Sequence, residues 1–235
     1  MLATATAAAG AAGGELRPEV NEVLSLTPNP AHGRDLFSYC ATCHASPSSG
    51  LPEGWVPSIE GQHPRYLAKQ LVDYRHSIRW DVRMEPVAKG HGLRGLQDIA
   101  DVVAFVASQP ANWSAPEEHP TAAPEDRTFY RSHCSSCHGL AGEGSDARYV
   151  PRIAGQNFAY LLRQMHDVVD GRRPNMRGQH LHALEDLDVV QLVALARYVA
   201  RLGPGDGRES APPSTHSSTT WSRSGASHPL APGSP

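Results

Sequence analysis

The chain has 235 residues, room for one large domain or two small ones, and no run of about 18 apolar residues that could form a membrane-spanning helix. Its net charge of −3 lacks the basic excess of a nucleic-acid binder. With 21 glycines and 20 prolines, part of the chain is expected to stay irregular.

The opening MLATATAAAGAAGG is alanine-rich, with neither a charged n-region nor a strongly apolar core. Residues 1–29 therefore read as a flexible leader or the remnant of an export signal. A first helix is expected over about 32–43, running into Cys40-Ala-Thr-Cys43-His44. A second begins near Pro64, a residue suited to a first helical turn, and carries Tyr66, Leu67, Gln70, Leu71 and Tyr74 toward one side. A third, Gln97–Ser108, sets Ile99, Val102, Val103 and Val106 on one face. Residues 113–124 hold Pro116, Pro120 and Pro124 and read as a linker.

The same order then returns. A helix over 125–137 runs into Cys134-Ser-Ser-Cys137-His138. The next carries Phe158, Leu161, Leu162, Met165 and Val169, and the last, Glu185–Arg201, carries Val189, Leu192, Val193, Ala196 and Val199. Residues 203–235 have almost no apolar side chains and read as a disordered tail. Beyond the helices, Val56-Pro-Ser-Ile-Glu-Gly-Gln62 is echoed by Val150-Pro-Arg-Ile-Ala-Gly-Gln156. The 94-residue offset of that echo equals the spacing between the two cysteine motifs. The chain reads as two copies of one small all-α domain, 30–112 and 125–202.

All four cysteines lie in those two motifs. A Cys-x-x-Cys-His run is the attachment signature of c-type haem. Two thiols three residues apart reach the two vinyl groups on one side of a porphyrin, and the adjacent histidine sits under the iron. Two such runs with no cysteine left over are roughly a one-in-a-hundred-thousand coincidence at this composition. A structural zinc site would draw both cysteine pairs from a short stretch, a thioredoxin-like motif would need strand–helix alternation, and disulfides within such tight loops would be strained. None of these explains the histidines. Domains of about 80 residues bury too little apolar surface to be robust alone, so each haem would also serve as core.

His44 and His138 each supply one iron ligand. For the sixth position, Met84 lies 40 residues after His44 and Met176 lies 38 after His138, both in Gly/Pro-punctuated stretches between helices. A thioether opposite an imidazole raises the potential and leaves no open site. Met165, on a helix, reads as core filler. Among the rivals His76, His91, His166, His180 and His182, only His91 and His180 lie in the ligand stretches.

These motifs resemble the cytochrome c4 family of dihaem cytochromes c, over about residues 32–202. The resemblance implies two tandem cytochrome c-like domains, each wrapped around one covalent haem. Cys40 and Cys43, and Cys134 and Cys137, would hold the haems, with axial pairs His44–Met84 and His138–Met176. Pro57–Gln62 and Pro151–Gln156 match the family's Pro-x-Leu/Ile-x-Gly-Gln element. That match implies that the proline carbonyl accepts the ligand histidine's other ring N–H, and puts Pro57, Gln62, Pro151 and Gln156 in the shell behind the iron ligands. Two departures stand out: Ala45 where the family has the glycine seen at Gly139, and Asp126 where the first copy has Gly33. Arg75, Arg79, Arg172 and Arg173 are candidates for pairing with haem propionates.

The implied function is a soluble electron carrier outside the cytoplasm, in the periplasm. It would pass single electrons from a dehydrogenase or quinol-oxidising donor to a terminal oxidase or other acceptor, with peripheral membrane association possible and no nucleic-acid partner. The alternatives are an electron-transfer subunit of such a complex, and a dihaem thiosulfate dehydrogenase or peroxidase. The last two want an open iron position or a cysteine ligand, and every cysteine is used.

Overall fold

A computed structural model describes residues 16–44, 55–111 and 123–203. The alanine-rich opening, Ala45, most of the linker and the tail lie outside the described residues. Helix α1, Pro18–Ser25, starts on a proline and turns Val20 and Val23 inward, 0% and 2% exposed, against the helices Pro64–Arg75 and Leu96–Ser108. The expectation of a flexible leader over residues 1–29 is therefore corrected at α1. Two valines three apart give even an eight-residue helix an apolar edge that the first copy buries.

The first copy continues with α2 (Pro30–His44), α3 (Pro64–Arg75), the short α4 (Met84–Pro86), a π turn over Val87–His91, and α5 (Leu96–Ser108). Helix α2 crosses α5 at Gly33, where an added Cβ would lie 2.0 Å from the Asp101 carbonyl oxygen. Phe37 and Phe105 meet across the same crossing with ring centroids 5.4 Å apart. Asp101 ties the start of α2 to α5 by accepting the Asn29 N–H at 2.7 Å and facing His32 Nδ1 at 2.8 Å. Gly33→Ala should force these helices apart and lower the stability of the first copy by about 1–3 kcal/mol, read from the melting midpoint. An unchanged midpoint would mean that the crossing is looser than its backbone contact implies.

The second copy repeats the plan with α6 (Pro124–His133), α7 (Ser135–His138), α8 (Phe158–Val169), a 3-10 turn Pro174–Met176, α9 (Arg177–Leu184) and α10 (Val189–Arg201). Asp126, the counterpart of Gly33, accepts the Ala123 N–H at 3.0 Å and so closes its own helix start. The aromatic pair is kept as Tyr130 and Tyr198, 5.4 Å apart. Two expected helices are interrupted. The one over 125–137 breaks at Cys134 and restarts at Ser135. The one over Glu185–Arg201 begins at Val189, because Asp188 and Gln191 cap it reciprocally, each side chain accepting the other's N–H at 2.9 Å. The cap turns Val189 outward, 63% exposed, instead of into the core, while Leu192, Leu195, Ala196 and Val199 fill it. Among the described residues the only β-type pairing is one isolated bridge, Ser145 with Val150, and the protein is two all-α units in tandem.

Candidate functional site

A cavity of about 720 Å³ runs between the two copies, and all twelve site residues named from the sequence border it. Each copy brings two cysteines, a histidine and a methionine to that one space. In the first copy, α2 carries Cys40, Cys43 and His44 on its last turns. His44 Nδ1 donates to the Pro57 carbonyl at 2.9 Å, and His138 Nδ1 donates to the Pro151 carbonyl at 3.2 Å. A carbonyl can only accept, so each Nδ1 carries the proton and each Nε2 keeps its lone pair. Burial holds both imidazoles neutral, lowering His44 below its ordinary value and pushing His138 down to about 4. A neutral, oriented imidazole with a free Nε2 is the form a metal takes.

Burial also raises the thiols, Cys40 to about 11 and Cys134 to about 12, and none of the four cysteines is in a disulfide. Met84 opens α4, its N–H and that of Arg83 both bonded to Asp81 Oδ1. Met176 closes the 3-10 turn, its N–H donating to the Arg173 carbonyl at 3.2 Å. The stretches read as punctuated loops are thus helical at their methionines, Met84 running on into the π turn and Met176 into α9. Met165 borders the cavity too and packs on the second core.

His180, on α9, lies with its ring centroid 5.9 Å from that of His138, and its Nδ1 donates to the Met176 carbonyl at 3.2 Å. The His91 side chain lies outside the described residues. His76 pairs with Glu19 at 2.8 Å, and His182 faces solvent beside Glu185.

The four candidate arginines separate by their partners. Arg75 donates to the carbonyls of Ala88, Leu93 and Arg94, and Arg172 pairs with Asp167 and Asp170. Carboxylates match the Arg172 charge, carbonyls occupy the Arg75 donors, and neither residue borders the cavity. Arg79 and Arg173, 94 residues apart, are both buried on the cavity wall. Arg79 donates to Gln70 at 2.8 Å and to Tyr160 and Gln164 at 2.9 Å. Arg173 donates to Tyr66 at 3.1 Å and Gln70 at 3.3 Å, and its buried Nε has no partner. Every acceptor in these bonds is neutral. Two buried guanidinium cations bonded only to neutral groups fit a cavity whose occupant carries carboxylates, as a haem does.

Gln62 and Gln156 each reach into the other copy. Gln62 accepts the Arg152 N–H and donates to the Arg152 carbonyl, both at 2.9 Å. Gln156 accepts the Ser58 N–H at 2.9 Å and donates to the Ser58 carbonyl at 2.8 Å. Ser58 and Arg152 are themselves 94 residues apart, so the two clamps are related by a pseudo-two-fold axis. The repeat in the sequence located these glutamines but could not say which copy they serve.

Two helical units that each present a Cys-x-x-Cys-His run to a shared apolar cavity define a c-type cytochrome with two haem sites. Residues 30–110 match the family model "Cytochrome c", and residues 121–199 match "Cytochrome C oxidase, cbb3-type, subunit III". A cytochrome c4 from Thiocapsa roseopersicina is 30% identical over 173 residues, 69% of this chain and 86% of that one. A "thiosulfate dehydrogenase electron acceptor" from Stutzerimonas stutzeri (strain A1501) is 30% identical over 203 residues, 77% of this chain and 91% of that one. The crystal structure of reduced cytochrome c4 from Pseudomonas stutzeri shares the fold, with a TM-score of 0.64 over 75% of this chain and all of that one at 24% identity. The chain belongs to the cytochrome c4 family. It is a dihaem electron-transfer protein with two covalently bound haems c.

Proposed function

We propose that Cys40 and Cys43 attach the first haem and Cys134 and Cys137 the second, with His44 and Met84 as axial ligands of the first iron and His138 and Met176 of the second. Each haem, when bound, supplies a one-electron Fe(II)/Fe(III) couple. The residues of the chain do the rest. The carbonyls of Pro57 and Pro151 hold the histidine rings in the tautomer that leaves Nε2 for iron. The methionine thioethers would keep water and small ligands from the irons, and Arg79 and Arg173 would neutralise haem carboxylates at the interface of the copies. A haem held by these residues would exchange electrons by outer-sphere transfer, with His44, Met84, His138 and Met176 staying in place. The single observation that carries this reading is the pair of neutral imidazoles whose free Nε2 atoms border one cavity with the four cysteines and two methionines.

The protein is a carrier and not an enzyme in this reading, because no iron position stays open and no cysteine remains as a ligand. Its haems would be attached outside the cytoplasm, in the periplasm. Among the described residues no helix is long and apolar enough to cross a membrane. Its partners would be redox proteins, and the relative named as an electron acceptor of thiosulfate dehydrogenase favours a dehydrogenase as donor. The haem-bearing copies would extend over 30–112 and 125–202.

Intact mass and a pyridine haemochrome spectrum of protein made in a host that attaches haem should count two covalent haems. Replacing Cys40 and Cys43 together, or Cys134 and Cys137 together, with alanine should remove one covalent haem and leave the other. The reduced wild-type protein should not bind carbon monoxide. Rapid carbon monoxide binding would contradict two closed iron sites and reopen the enzyme reading.

A further inference from the structure

The two peptide units behind the ligand histidines are gripped from both sides. The peptide joining Pro57 to Ser58 accepts from His44 Nδ1 at its carbonyl, 2.9 Å, and donates through its N–H to Gln156 Oε1, 2.9 Å. The peptide joining Pro151 to Arg152 accepts from His138 Nδ1, 3.2 Å, and donates to Gln62 Oε1, 2.9 Å. In both cases the glutamine comes from the opposite copy.

The orientation of each side-chain amide is set by its partners. A backbone N–H must face Oε1, and the carbonyl of the same residue must face Nε2. Each Oε1 accepts a second N–H from the residue that follows the glutamine, His63 or Asn157, at 2.9 Å. Both glutamines are 4% exposed, so bulk water does not compete for these bonds.

A peptide is a conjugated unit. When its N–H donates, electron density moves toward its oxygen, and that oxygen becomes a stronger acceptor. A stronger acceptor at Nδ1–H makes the imidazole more basic toward metal. A more electron-rich imidazole favours ferric over ferrous iron.

We propose that Gln62 and Gln156 are positioning residues acting in trans: Gln156, through the Pro57–Ser58 peptide, sets the ligand strength of His44, and Gln62, through the Pro151–Arg152 peptide, sets that of His138. The potential of each haem is thus tuned from the other copy. This inference rests on the axial assignment proposed above.

The test uses holoprotein carrying Gln156→Leu or Gln62→Leu, with redox titration of the two haems followed by their resolved NMR signals. Gln156→Leu should raise the potential of the first haem, increasing its reduced-to-oxidised ratio at a fixed applied potential by about two- to tenfold, with a smaller change at the second. Gln62→Leu should do the reverse. In the reduced protein, the His44 Nδ1–H proton should move upfield in Gln156→Leu while that of His138 stays in place. Gln156→Met and Gln62→Met keep more of the side-chain reach, and should give the same trans shifts if the leucine variants fold poorly.

A purely structural clamp would loosen the common interface and move both haems alike in either variant. Equal shifts, or a larger shift in the variant's own copy, would overturn the proposal. An error in the axial assignment would appear first in the wild-type protein, as absent histidine–thioether signatures. A wild type with those signatures and variants without trans shifts would overturn the relay alone.

Discussion

Protein in which Cys40, Cys43, Cys134 and Cys137 are all alanine should be largely unfolded, with most of its far-UV helical signal lost and no cooperative melt. The reason is the cavity between the copies. It holds about 720 Å³, and without haem its apolar wall faces water and lacks the packing partner that the cofactor supplies. Two units this small bury too little other apolar surface to offset that loss. The cavity wall adds a second cost. Arg79 and Arg173 are buried there with only neutral acceptors, so without haem carboxylates their charges remain uncompensated. A cooperative, fully helical melt of the alanine variant would show that the two apolar clusters suffice without the cofactor.

The second large effect belongs to the methionines. With Met84 and Met176 as sixth ligands, the oxidised protein should show the weak sulfur-to-iron charge-transfer band at the red end of the visible spectrum. Alanine at either position should remove about half of it, and the affected haem should fall substantially in potential. Axial identity is among the largest levers in a range of about 0.8 V.

In Met176→Ala the iron should take His180, whose ring lies 5.9 Å from that of His138, and stay low-spin. In Met84→Ala the iron should take water or His91, seven residues further along the same stretch; carbon monoxide binding by the reduced protein would mark water, and a low-spin product His91. Met165→Ala should leave the band intact and cost packing of about 2–5 kcal/mol. Loss of half the band in Met165→Ala, with none in Met176→Ala, would reassign the second thioether. Two bis-histidine haems in the wild type would end the high-potential reading.

Much of the molecule is legible in its residues. The 94-residue echo announces two copies, and the spacing of Ile99, Val102, Val103 and Val106 announces α5, which buries all four. Elsewhere local reading fails for identifiable reasons. Helix α1 spans only eight residues, so Val20, Val23 and Leu24 make a single turn of an apolar face, yet the first copy has a surface that fits them. Val189 has the right spacing for the α10 stripe, but the Asp188–Gln191 cap makes it the first residue of the helix and turns it to solvent. Nothing local to His180 shows that α9 turns it toward His138.

The sequence by itself determined the chemistry: two covalent attachment runs, a histidine beside each, one methionine per copy in matching positions, and their duplication. These are short-range facts, because attachment needs thiols and imidazole within five consecutive residues. Only the tertiary structure decided which groups answer to which copy. It separated Arg79 and Arg173, buried with neutral partners, from Arg75 and Arg172, already satisfied by carbonyls and carboxylates. It also carried Gln62 and Gln156 across the pseudo-two-fold axis onto the peptides behind the other copy's histidines. Partners about 90–100 residues apart leave no periodic trace along a chain. They meet because two similar surfaces pack face to face, and that packing is a property of the assembled copies.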